Sequence, residues 1–131
     1  MTPGFRGGAI VYACDLERIA AFYAAVADLQ LVSRESDHAV LERDGYRITV
    51  VAIPDDIART IVIADPPARR EDAALKLSFP VAAVADARAV AKEHGGVVDP
   101  PEREWQCRGE RVCDGHDPEG NVIEVCERTE A

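Results

Sequence analysis

Asp117-Pro118-Glu119-Gly120-Asn121-Val122-Ile123-Glu124-Val125 is a tight turn feeding a strand, and the strand carries one carboxylate. Pro118 presets one φ and Gly120-Asn121 tolerates positive φ, so the chain can reverse sharply here. The apolar run from Val122 to Val125 then has the composition of a strand. Glu124 interrupts it, and a charge in mid-strand is expected only where that face lines something other than a packed core. Glu124 is therefore a metal ligand, a binding-site anion or one half of a structural ion pair.

Working outward from this hairpin, the chain divides into two halves with one pattern. The first half has an apolar run over Ala9–Ala13, then Asp15 as a helix N-cap. Leu16, Ile19, Ala20, Phe22, Tyr23 and Val26 follow at helical spacing, predicting a helix over 16–29. Strand-like stretches come next at Leu29–Ser33, His38–Glu42 and Tyr46–Ile53, the last two joined by the hairpin signal Asp44-Gly45. The second half repeats this with a strand over Leu75–Val81 and a helix over Val84–His94 stopped by Gly95-Gly96. Strands at Val97-Val98, Glu110–Cys113 and Asn121–Glu127 complete it. Each half reads β-α-β-β-β. The expected organisation is a single domain over 1–131, with module one at about 5–54, a linker at about 55–73 and module two at about 74–131. Thr60–Ala64 could add a short strand to the linker.

One βαβββ unit covers one face of its sheet with its helix and needs a second copy to shelter the rest. Two units make an α+β fold whose open, half-barrel sheet surrounds a cleft, and the cleft is the natural ligand site. Such a sheet leaves edges and apolar faces that a second chain can cover, so a homodimer is expected.

The composition is that of a globular protein large enough to build a core without staples: 131 residues, 47% apolar and 30% charged. A formal net charge of −9 argues against nonspecific nucleic-acid binding. No apolar run is long enough to span a membrane and no signal-peptide pattern opens the chain, so a cytoplasmic location is expected. Cys14, Cys107, Cys113 and Cys126 show no C-x-x-C spacing and are expected as free thiols. The histidines do not fall at zinc-ligand spacing beside them.

Tyr12-x-x-Asp15-Leu16-Glu17-Arg18 leading to Ala21-Phe22-Tyr23, then Gly95-Gly96, Trp105…Gly109…Arg111, and finally Asp117-Pro118-Glu119-Gly120-Asn121 with Glu124, occur in the order of a known family. Over nearly its whole length the chain resembles the vicinal oxygen chelate superfamily of glyoxalases, bleomycin-resistance proteins and extradiol dioxygenases. The resemblance implies four metal-ligand positions on the first and last strands of the modules. Here they fall on Gly8, the region of Thr49, Lys76 and Glu124, so only Glu124 holds a competent ligand. A divalent ion needs about three or four protein donors, and a protonated lysine repels it. No metal or other cofactor is therefore expected.

Strand alternation places Leu75, Leu77 and Phe79 on the apolar side, with Lys76 and Ser78 opposite. It likewise sets Ile123 and Val125 against Val122, Glu124 and Cys126. A Lys76–Glu124 ion pair is expected where relatives keep a metal, either as mutual charge satisfaction or as an anchor for a ligand's polar group. Tyr12 shares alternation with Gly8 and Ile10 and should face the cleft, where the small Gly8 leaves room. Trp105 is placed at the cleft rim by the resemblance. Arg111, Cys113 and Asp114, on the strand before the closing turn, are either ligand contacts or surface groups. The expected ligand-binding set is Tyr12, Lys76, Trp105, Arg111, Cys113 and Glu124, with Glu124 the one candidate for catalysis. His94 suits a helix end and His116 a turn role, and nothing demands a His116–Cys113 nucleophilic pair. The expected function is sequestration of a small organic molecule, a drug or metabolite, in a metal-free cleft. The alternatives are a metal-dependent glyoxalase or dioxygenase and a metal-free lyase or isomerase with Glu124 as base.

Overall fold

The computed structural model describes residues 4–130; residues 1–3 and 131, the ends of the expected domain, lie outside it. The first module runs β1 (Gly7–Ala13), α1 (Leu16–Val26), β2 (Gln30–Arg34), β3 (His38–Arg43) and β4 (Tyr46–Ala52). After the short helix α2 (Asp55–Ala58), the second runs β5 (Leu77–Pro80), α3 (Val84–Glu93), β6 (Val97–Val98), β7 (Trp105–Cys107), β8 (Glu110–His116) and β9 (Val122–Arg128). The sheets have matching orders, β1-β4-β3-β2 and β5-β9-β8-β6, with β7 added alongside β8. In each, the first strand pairs in parallel with the last while the other pairings are antiparallel.

Local chemistry sets these elements. The Asp15 side chain accepts the Arg18 N–H at 3.1 Å and caps α1. The helix ends three residues earlier than the periodicity suggests, because Asp28 takes φ 54° and the Leu29 N–H turns back to the Ala24 carbonyl. This is a Schellman-type stop with aspartate at the usual glycine position. α3 closes the same way through Gly95 at φ 83° and Gly96 N–H to Ala91. Asp44 and Gly45 both have positive φ, the type I′ geometry that fits a tight hairpin. The linker forms α2 where a loop is expected, and Thr60–Ala64 adds no strand. β7 is an additional strand: Trp105–Cys107 folds back on β8 through Arg108-Gly109, both at positive φ.

Alternation divides each sheet cleanly. In the first, Val11, Ala13, Ala39, Leu41, Ile48 and Val50 lie buried against α1, while Gly8, Ile10 and Tyr12 are exposed on the other face. In the second, Phe79, Cys113, Ile123 and Val125 face the core beside α3. The two halves meet through aromatics, with Tyr23 5.7 Å and Tyr46 5.9 Å from Phe79 between ring centroids. Tyr23 and Phe79 are buried, each contributing roughly 1.5–3 kcal/mol by removal from water, and Tyr46 is partly buried beside them.

The closing turn fastens the halves together. Asp117, fully buried, accepts the Tyr23 hydroxyl at 2.7 Å, the backbone N–H groups of Glu119 and Asn121, and the Asn121 side-chain amide at 2.8 Å. Burial, and then the Asp117 carboxylate, push the Tyr23 phenol well above its ordinary range. Glu119, 5% exposed, spans to module one and accepts the N–H groups of Cys14 and Asp15 at 2.9 and 2.8 Å. The linker is held against this turn by Arg70 N–H to the Gly120 carbonyl. A Cβ on Gly120 would overlap the Ala68 carbonyl, so glycine is required there by this close approach as well as by its φ of 88°.

Candidate functional site

Because the β8–β9 hairpin closes on His116 opposite Val122, counting back places Asp114 directly opposite Glu124, with Ser78 of β5 on its other side. These residues share the face turned away from the core. Lys76, just before β5, extends its ammonium over this row, 2.9 Å from Asp114 and 3.6 Å from Glu124. The expected Lys76–Glu124 pair is present, but Asp114 is the nearer partner. Its hydrogen bond to the ammonium, with both nearby carboxylates, holds the Lys76 pKa above the ordinary lysine value. Trp105 presents its ring 5.8 Å from the same nitrogen, within cation–π range. Glu124 also accepts from Ser78 Oγ at 3.0 Å and from Cys126 Sγ at 3.5 Å.

A cavity of about 550 Å³ opens beside this cluster, walled by Lys76, Trp105, Asp114, Arg69, Asp99 and Val122, among others. On its far side Arg69, from the linker, grips Asp99 through two hydrogen bonds of 2.6 and 3.0 Å and donates to His116 Nδ1 at 3.0 Å. Those bonds hold the Asp99 carboxyl below its usual range. Burial, and secondarily Arg69, lower the His116 pKa. His116 thus serves as an acceptor that fixes the linker.

Tyr12 stands on the outer face of the first sheet, 64% exposed. It borders a second cavity of about 440 Å³ with Ile10, Leu75, Leu77 and Val122. The two cavities share Ala73, Ala74, Leu75 and Val122, so the segment Ala73–Leu75 lies between Tyr12 and the Lys76 cluster.

Lys76, Trp105 and Glu124 therefore converge, and Tyr12 lies across a divider from them. Arg111 and Cys113 do not join them. Both are on the opposite face of β8: Arg111 pairs with Glu104 and Glu127, and buried Cys113 donates to the Asp99 carbonyl at 3.3 Å. Burial raises the Cys113 thiol pKa, the reverse of what a nucleophile needs. Asp114 belongs to the site in their place. Alternation across the turn contains this result, since Ile123 and Val125 on the core side carry Gly115 and Cys113 with them. Arg69, Asp99 and β7 leave no comparable signal, because they are brought in by loop and linker paths.

The residues at the chelate positions do not fit a divalent ion. A Cβ on Gly8 would overlap the Arg47 carbonyl, so the space expected there is filled by β4 backbone and no ligating side chain can enter. Thr49 is flanked in register by Ile10 and Val40. Among the described residues no three His, Cys, Asp or Glu side chains converge on a common point. Among the described residues, Lys76 is the cation paired with Asp114 and Glu124.

The chain is thus two βαβββ modules with cavities beside their helix-free faces. The sequence profile of the Glyoxalase-like domain matches residues 9–126, and the chain belongs to that family, within the vicinal oxygen chelate superfamily. A glyoxalase/bleomycin resistance protein/dioxygenase family enzyme from Burkholderia phytofirmans PsJN is similar in structure, with TM-score 0.67 and 17% identity over 92% of this chain and 96% of that one. The bleomycin resistance determinant encoded on transposon Tn5 gives TM-score 0.60 at 17% identity, covering 95% and 98%. A fosfomycin resistance protein from Mesorhizobium loti gives 0.62 at 13%, covering 97% and 93%. Identities this low establish a shared fold alone. No curated protein sequence matches the chain.

Proposed function

We propose that the chain binds a small organic molecule in the cleft beside Lys76, Trp105, Asp114 and Glu124 without a divalent metal, sequestering a drug or metabolite. The observation that carries this reading is the Lys76 ammonium seated on Asp114 and Glu124, where a chelating relative would present ligands to an ion. A tethered cation already contacts both carboxylates, and Gly8 and Thr49 supply no further donors. The bleomycin and fosfomycin resistance proteins that share the fold lend this reading support. A homodimer is part of the proposal. Leu31 and Val32 are about half exposed on the edge strand β2, and Ile10 and Tyr12 are more so on the outer face of the first sheet. A cytoplasmic location accords with four free cysteines. Among the described residues, no helix is long and apolar enough to cross a membrane.

Metal analysis of protein purified without chelator tests this directly, paired with a thermal-shift screen of metals and small organic molecules. Substoichiometric metal and stabilisation of a few degrees by an organic compound are expected, corresponding to roughly 1 kcal/mol of linkage. Stoichiometric Zn, Ni, Mn or Fe that supports turnover would instead establish the metal-dependent glyoxalase or dioxygenase reading. A second reading, a metal-free lyase or isomerase with Glu124 as base, draws on the contact of Glu124 with Ser78 and Cys126 on the same wall. Glu124→Gln separates the two: it abolishes turnover in an enzyme, whereas in a binder there is no turnover to lose.

A further inference from the structure

We propose that the wall formed by Asp114, Glu124 and Trp105 is a subsite for an organic cation, a protonated amine or quaternary ammonium on an apolar body, and that Lys76 is its internal occupant, displaced when the ligand binds. This rests on the reading of the cleft as a small-molecule site and specifies the charge of what enters it.

Three observations carry it. Asp114 and Glu124 oppose each other in register, so two carboxylates converge on one point of the sheet face. A single ammonium answers them, at 2.9 and 3.6 Å, leaving one negative charge uncompensated. The charges that line the cavity balance, Arg69, Lys76 and Arg103 against Glu71, Asp99 and Asp114, so the excess comes from Glu124, which stands beside Asp114 in register at the cavity's edge rather than in its lining. The Trp105 ring faces the same ammonium, and an aromatic face adds attraction for a cation and none for an anion.

Displacement is physically accessible. The Lys76, Asp114 and Glu124 side chains are 39%, 32% and 22% exposed, so a ligand can approach from the cavity of about 550 Å³. Lys76 precedes the first paired residue of β5, Leu77, and its long side chain can swing into solvent without disturbing the sheet. A bound cation would then keep both carboxylates paired while its apolar body covers Trp105 and Val122.

Trp105 is the only tryptophan in the chain, so its fluorescence reports on this wall alone. The full-length protein is titrated at low salt with benzyltrimethylammonium, benzyl alcohol and benzoate, which set a cation, a neutral group and an anion on one ring. A saturable change with the cation is expected, with the other two weaker by about ten-fold or more. Lys76→Met should tighten the cation by about three- to ten-fold, because the internal competitor is gone. Asp114→Asn combined with Glu124→Gln should weaken it by at least about ten-fold, with far-UV circular dichroism confirming that each variant is folded. In the unaltered protein, added salt should weaken the cation, a readout independent of any variant. Absence of a response to the cation, or binding unchanged or weakened by Lys76→Met, overturns the proposal. Benzoate or benzyl alcohol binding as tightly as the cation also overturns it, yet leaves the small-molecule reading standing. That reading fails separately, if no organic compound in the thermal-shift screen stabilises the protein.

Discussion

The two sheets share strand order and helix placement but present opposite surfaces to the cleft. The first offers Ile10, Tyr12, Val40, Thr49 and Val51 around a backbone-filled spot at Gly8, with Arg47 paired to Glu42 at 2.7 Å on the same face. The second offers Lys76, Ser78, Asp114, Glu124 and Trp105. Their core faces are equally apolar, so the fold depends on one alternation and the chemistry on the other. A duplicated scaffold can thus keep its packing while its two halves present different side chains away from the core.

The sharpest contrast lies within a single hairpin. Asp117 is buried and answered by four donors, whereas Asp114, three residues earlier, is a third exposed and holds only a lysine. Asp117→Ala strands the Tyr23 hydroxyl and the turn amides, and is expected to cost about 3–5 kcal/mol in urea unfolding. Asp114→Ala should cost under about 1 kcal/mol in the same experiment, because a half-exposed ion pair is screened by solvent. Comparable losses at both positions would erase the distinction between fastening and binding acids.

Gly8→Ala probes the first sheet's blank spot. Forcing β1 away from the Arg47 carbonyl should cost about 2–3 kcal/mol, read from the denaturation midpoint. A neutral result would show that the chelate position could have carried a side chain after all.

The linker clamp gives a smaller, pH-dependent effect. The folded His116 pKa lies below its unfolded value of about 6.5, so the unfolded chain binds more protons between the two. The stability it contributes is complete above about pH 6.5 and is lost as pH falls through the folded value. Asp99, also lowered, adds stability that is lost only at more acidic pH. Urea midpoints should decline from pH 7 to about pH 5, and His116→Gln should flatten that slope. The smallest change is expected from Tyr12→Ala, within about 0.5 kcal/mol, because its side chain is largely in solvent.

Much of this was legible in the residues. The Asp15 cap, the Asp44-Gly45 hairpin, the Gly95-Gly96 stop and the closing turn each act through a few neighbouring atoms, so sequence displays them directly. The pairing of Lys76 with Glu124 came from the family resemblance, which made their strands neighbours, together with alternation, which gave the shared face. The same counting carried across the turn yields Asp114 and puts Arg111 and Cys113 on the other face. Asp117 and Glu119 were legible only as turn residues. Their bonds to Tyr23, Cys14 and Asp15 depend on how the modules dock, which alternation does not encode. Arg69 and Asp99 were hidden for the same reason, each carried to the cavity by a segment without periodicity.

The reach of Glu119 to Cys14 and Asp15 spans 105 and 104 positions of chain. The lead-in amides of the first helix thus find their acceptor only once the last hairpin is in place. The two halves are therefore expected to unfold as one cooperative unit, although each carries a complete set of local signals.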